Sequence, residues 1–132
     1  MLSESAIKAT YKRAGLTPVN TFLWDEMTDQ IKDNVVNKLN IDNYEKFIIC
    51  YLKNENYFLL YSNYRLIIFD EAEATFIPYR TIKRAELPII NSGNDKMEID
   101  KLDITLRNGN VITIRIEKNT WHFFYGLFKF LI

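Results

Sequence analysis

The chain has 132 residues, enough for one domain with a real core and small for two. Lys plus Arg and Asp plus Glu both number 17, so the formal net charge is zero. A general nucleic-acid binder relies on surplus Lys and Arg to neutralise phosphates, and this balance argues against one. The single cysteine, Cys50, allows no internal disulfide, and it lies in the apolar run Phe47 to Leu52, where burial is the expected fate.

Residues Ser3 to Ala14 hold good helix formers, and Gly15 stands where a helix would stop. A second helix is expected from Thr17 as N-cap and Pro18 as first helical residue to Leu39. Its stripe is Leu23, Met27, Ile31, Val35 and Leu39, four residues apart, with Asp25, Asp29, Lys32, Asp33 and Lys38 opposite. The stripe packs on the sheet domain or docks on a partner. Asn40-Ile41-Asp42-Asn43 then ends the helical part, so the chain divides into a helical arm, 1–42, and a strand-rich domain, 43–132.

From Lys46 onward seven strands are expected: Lys46 to Leu52, Asn56 to Tyr61, Arg65 to Asp70, Thr75 to Tyr79, Ile82 to Leu87, Met97 to Asn108 and Val111 to Lys118. Pro88 to Asp95 is the longest loop and the expected mobile segment. In the last hairpin a three-residue loop, Asn108-Gly109-Asn110, sets Leu106 against Ile112, Ile104 against Ile114 and Leu102 against Ile116. It also opposes Asp103 to Arg115 and Lys101 to Glu117, with Asn110 in the left-handed position. Trp121 to Ile132 forms the last helix, capped by Asn119 or Thr120. It is apolar nearly all round, so it needs cover on more than one side.

No catalytic constellation stands out. His122 is the only histidine and sits at a helix start, and one Cys with one His cannot supply the usual zinc sites. Asp70, Glu71 and Glu73 lack the glycine and terminal glutamate of a calcium loop and read as an exposed turn. The expectation is a chain that is no enzyme and carries no metal or cofactor. Lys53, Arg80, Lys83 and Arg84 are the candidates for an anionic ligand or headgroup. Phe123, Leu127 and Phe130, off the main face of the last helix, are the candidates for docking a partner. The start of the chain lacks the apolar core of a signal peptide, and its most apolar segment, Trp121 to Ile132, is well short of the roughly 20 residues that span a bilayer. A cytoplasmic protein is expected.

Leu59-Leu60-Tyr61-Ser62-Asn63-Tyr64-Arg65-Leu66-Ile67-Ile68-Phe69, followed by Phe76-Ile77-Pro78-Tyr79-Arg80-Thr81-Ile82, resembles the bacterial pleckstrin-homology-like (PH-like) families, which are related to GRAM-type domains. Those carry a TN-x-R-L-I strand pair and then I-P-Y-x-x-I, with Ser62 here in place of the threonine. The resemblance covers about residues 44 to 132. It implies an α+β fold: a bent antiparallel barrel or sandwich of about seven strands, capped by the C-terminal helix and here preceded by the helical arm. Inositide-binding relatives use several basic residues in the first hairpin, whereas Lys53-Asn54-Glu55-Asn56 offers one of each charge. The resemblance therefore implies an interaction module that meets a protein partner or forms a homo-oligomer. Peripheral membrane or anionic-ligand binding is the alternative.

Overall fold

The computed structural model describes residues 3–39, 41, 45–87 and 99–131. The fold is α+β, and among the described residues it has eight strands in two antiparallel sheets and three α-helices. The chain runs α1 (Glu4–Arg13), β1 (Thr21–Leu23), a single 3₁₀ turn (Trp24–Glu26), α2 (Asp29–Asn37), β2 (Phe47–Asn54), β3 (Tyr57–Ser62), β4 (Arg65–Asp70) and β5 (Glu73–Pro78). A second 3₁₀ turn (Tyr79–Thr81) leads to β6 (Ile82–Glu86), β7 (Lys101–Leu106), β8 (Val111–Arg115) and α3 (Trp121–Leu131). The first sheet has the order β1-β2-β3-β4-β5 and the second β6-β7-β8, so among the described residues the strands form a sandwich and no closed barrel. The expected mobile loop Pro88 to Asp95 lies outside the described residues.

Both faces of the five-stranded sheet are covered, which explains why every residue of β3 is buried instead of every second one. On one face Ile49, Leu59, Tyr61, Leu66 and Ile77 meet Leu102, Ile104 and Ile114 of the second sheet and the aromatic side chains of α3. Phe124 stacks on Tyr61 with ring centroids 5.1 Å apart, and Tyr11 of α1 meets Phe123 edge-on at 5.3 Å. Apart from Phe130, the apolar surface of α3 is thus largely covered within one chain. On the other face Met27, Val35 and Leu39 lie over Cys50, Phe58, Leu60, Ile67 and Phe69. Burial there pushes the Cys50 thiol up to about 12.

The second expected helix is much shorter than its spacing suggests. Residues 18–28 include a strand and a 3₁₀ turn, and the N-cap is Thr28, whose hydroxyl accepts from the Ile31 amide. Thr21, Phe22 and Leu23 pair with Tyr51, Cys50 and Ile49 at the edge of β2 instead. Strand pairing and burial of Leu23 outweigh the helical spacing, which a β-branched and aromatic triplet supports poorly. Of the stripe, Leu23, Met27, Val35 and Leu39 are buried on the sheets, whereas Ile31 remains 37% exposed.

The β7–β8 hairpin keeps the expected faces but in a register two residues away. Leu102 opposes Ile114, Ile104 opposes Ile112 and Asp103 opposes Thr113, so the predicted Asp103–Arg115 and Lys101–Glu117 pairs do not form. Gly109, with φ +93°, takes the left-handed position assigned to Asn110, and the loop is centred one residue earlier. A two-residue slip leaves each side chain on the same face, so in/out patterning alone cannot choose between these registers. Freed from Lys101, the Glu117 carboxylate accepts from Val19 N (2.6 Å), Asn20 N (2.9 Å) and Thr21 Oγ1 (2.8 Å), tying β1 to the end of β8.

Candidate functional site

The residues that carry the family resemblance meet at one corner of the first sheet. The Ser62 hydroxyl accepts from the Tyr64 and Arg65 amides and donates to the Arg65 carbonyl, closing the β3–β4 turn from within. From the end of β5, Tyr79 donates its hydroxyl to the Ser62 carbonyl at 2.8 Å. Burial raises the Tyr79 phenol far above its ordinary range, so it is a fixed donor. Ser62 and Tyr79 are therefore structural, and their effect is to hold Tyr64 and Arg65 beside β5.

Arg65 is clamped by Glu45. Its Nε lies 2.9 and 3.0 Å from the two carboxylate oxygens and its Nη2 2.7 Å from Oε1. Donation to the Glu45 carboxylate, a side chain only 3% exposed, raises the Arg65 pKa. The flat guanidinium lies 4.5 Å from the Phe76 ring centre and 5.1 Å from that of Tyr64. Tyr64 and Phe76 are 39% and 38% exposed. Phe76 continues the apolar face that α2 covers elsewhere, since it pairs with Ile67 on β4. Among the described residues β5 is an outermost strand, and its residues Glu73 to Phe76 are exposed. The corner thus displays two aromatic rings and a charge-compensated arginine beside an open strand edge. Tyr64, Arg65 and Phe76 all stand in the stretches that carry the resemblance, and tertiary packing decides that the Phe76 ring stays partly exposed beside Arg65.

The four basic candidates do not form one patch. Lys53 lies near the β2–β3 hairpin, and Arg80 follows β5, at the opposite end of the same sheet by strand register. Arg84 is paired with Glu86 across one intervening residue, and Lys83 is exposed on β6. Around Arg80 there is a shallow hollow of about 410 Å³ with Thr81, Leu106 and Arg107, whose Nε donates to the Arg80 carbonyl at 2.9 Å. Lys53 borders a separate open cleft of about 700 Å³ between α2 and the hairpin, shared with Asn20, Asn34 and Lys38.

Of the three partner-docking candidates, Phe123 and Leu127 are 4% and 1% exposed and belong to the core; a partner could reach them only if α3 came away. Phe130 alone is on the surface, at 63% exposure. His122 borders a cleft of about 690 Å³ with Pro18, Glu117 and Trp121, but Glu117 already accepts three hydrogen bonds there. Asp70, Glu71 and Glu73 form the β4–β5 hairpin, where Glu71 and Ala72 both have positive φ, 49° and 72°. No group of three or more metal-binding side chains occurs among the described residues, and no helix among them is long and apolar enough to cross a membrane. Set against family models, curated proteins and solved structures, the chain matches none.

Proposed function

We propose that this chain is a non-enzymatic, PH-like interaction module that works by protein–protein contact at the corner formed by Tyr64, Arg65 and Phe76. The supporting observation is the pair of rings, 39% and 38% exposed, braced by an arginine whose charge Glu45 already balances. Aromatic side chains and Arg supply much of the binding energy at protein interfaces; the rings add contact area with little loss of side-chain freedom, and Glu45 already holds the Arg65 side chain in place. The adjacent edge of β5 adds main-chain donors and acceptors, the means by which a partner strand joins a sheet.

The test is affinity capture from a lysate of the source organism with three baits: wild type, Phe76→Glu and Phe130→Glu. A protein retained by wild type and Phe130→Glu but lost with Phe76→Glu supports the reading; identical captures with all three refute it. Anionic-headgroup binding has less support, because Lys53 and Arg80 lie at opposite ends of a sheet and Arg84 is paired. Vesicles rich in anionic lipid should therefore retain no more of the chain than neutral vesicles at low salt.

A further inference from the structure

The edge of β5, unpaired among the described residues, carries its own complement. The two-residue turn Glu71-Ala72 makes Asp70 and Glu73 the hydrogen-bonded pair that closes the hairpin. Alternation then aims the main-chain groups of Glu73, Thr75 and Ile77 at β4, and those of Ala74, Phe76 and Pro78 away from the sheet. The Tyr79 amide, which donates inward to the Tyr64 carbonyl at 3.0 Å, continues this alternation. Ala74 and Phe76 thus offer two N–H and two C=O groups outward, and Pro78, with no N–H, ends the usable edge.

We infer that β5 pairs with β5 of a second copy, antiparallel and centred on Thr75, joining the two five-stranded sheets about a two-fold axis. In that register Ala74 and Phe76 of each copy exchange four main-chain hydrogen bonds with Phe76 and Ala74 of the other. Each Phe76 ring then lies across from the partner's Ala74, large beside small, on the face where Arg65 already supports it. Charge selects the antiparallel arrangement. Asp70, Glu71 and Glu73 gather at the start of β5, and Arg80 follows its end. Antiparallel pairing sets each acidic end beside Arg80 of the partner subunit, whereas parallel pairing would set like charges together. The occupant of the edge is a second copy of this chain, and the inference rests on the protein-contact reading above.

Sedimentation equilibrium from about 5 to about 500 μM tests it, because mass action shifts a weak edge-to-edge dimer across that range. The apparent mass should climb from 15.7 kDa toward twice that value, and the association should weaken as salt is raised. Ala74→Pro removes one outward N–H of each edge and should weaken association at least tenfold while the circular dichroism spectrum is kept. Arg80→Asp should weaken it likewise, and the exchange Asp70→Arg with Arg80→Asp should restore it, which a generic hydrophobic contact would not do. A wild-type chain that stays monomeric at the top concentration overturns the inference, as does a dimer indifferent to both Ala74→Pro and the single substitution Arg80→Asp. A monomer that still captures a protein through Phe76 would remove self-pairing alone and leave the contact reading standing.

Discussion

Replacing Glu117 by alanine tests whether the first 23 residues belong energetically to the rest of the fold. The carboxylate accepts hydrogen bonds of 2.6, 2.9 and 2.8 Å from residues more than ninety positions away in sequence. Hydrogen bonds to a charged acceptor contribute about 1.5–3 kcal/mol when desolvated. Two donors, the amides of Val19 and Asn20, lie on the exposed side, where water replaces the lost acceptor and about 0.5 kcal/mol each is appropriate. The Thr21 hydroxyl belongs to a residue only 2% exposed and would lose its carboxylate acceptor, at about 1.5 kcal/mol. The expected loss is about 2–3 kcal/mol, which at a slope of about 2 kcal/mol per molar urea lowers the unfolding midpoint by roughly 1–1.5 M. Hydrogen exchange should also speed up at the Leu52 amide, which donates to the Asn20 carbonyl at 2.9 Å. Combined with Thr21→Val, the substitution should be markedly non-additive, since the two side chains bond to each other. A midpoint change below about 0.3 M with unaltered exchange at Leu52 would refute the reasoning, because β1 would then be held without this carboxylate.

Two further substitutions should stabilise the protein. The Tyr61 hydroxyl is fully buried with no hydrogen-bond partner among the described residues, and burial raises its pKa well above the ordinary phenol value. Tyr61→Phe keeps the ring stacked on Phe124 and removes the stranded hydroxyl, so thermal unfolding should move up by an amount matching about 1–2 kcal/mol; a lower midpoint would show that the hydroxyl is satisfied after all. In the β4–β5 turn, Glu71 and Ala72 hold the left-handed backbone that Asn and Gly adopt with less strain. Glu71→Asn with Ala72→Gly should add about 1 kcal/mol in urea titration, and no gain would mean that the turn carries no strain.

The strands β2 to β8 and both terminal helices were legible because each rests on local chemistry. Asp70 to Ala74 and Ser62 to Arg65 hold turn-forming residues between β-branched and aromatic runs, and the Ser3 cap and Gly15 bracket α1. The faces of β7 and β8 were legible for the same reason, and their register was not, because a two-residue slip buries the same side chains. Phe123 and Leu127 looked available on a helical wheel, since their cover comes from a separate segment: α1 places Tyr11 against Phe123. Lys53 and Arg80, both basic candidates, stand at opposite ends of the first sheet, a separation that only strand register reveals.

What the sequence determined by itself is therefore the α+β class, the strand succession and the identity of most core side chains, all set by propensity and by alternation over a few residues. Tertiary structure alone decided that Thr21–Leu23 is a strand and that Glu117 holds it. It also decided that α2 stops short of Phe76, leaving that ring exposed beside Arg65. These outcomes depend on contacts between distant segments, where the free energy gained on pairing exceeds the small local preferences that a sequence pattern records.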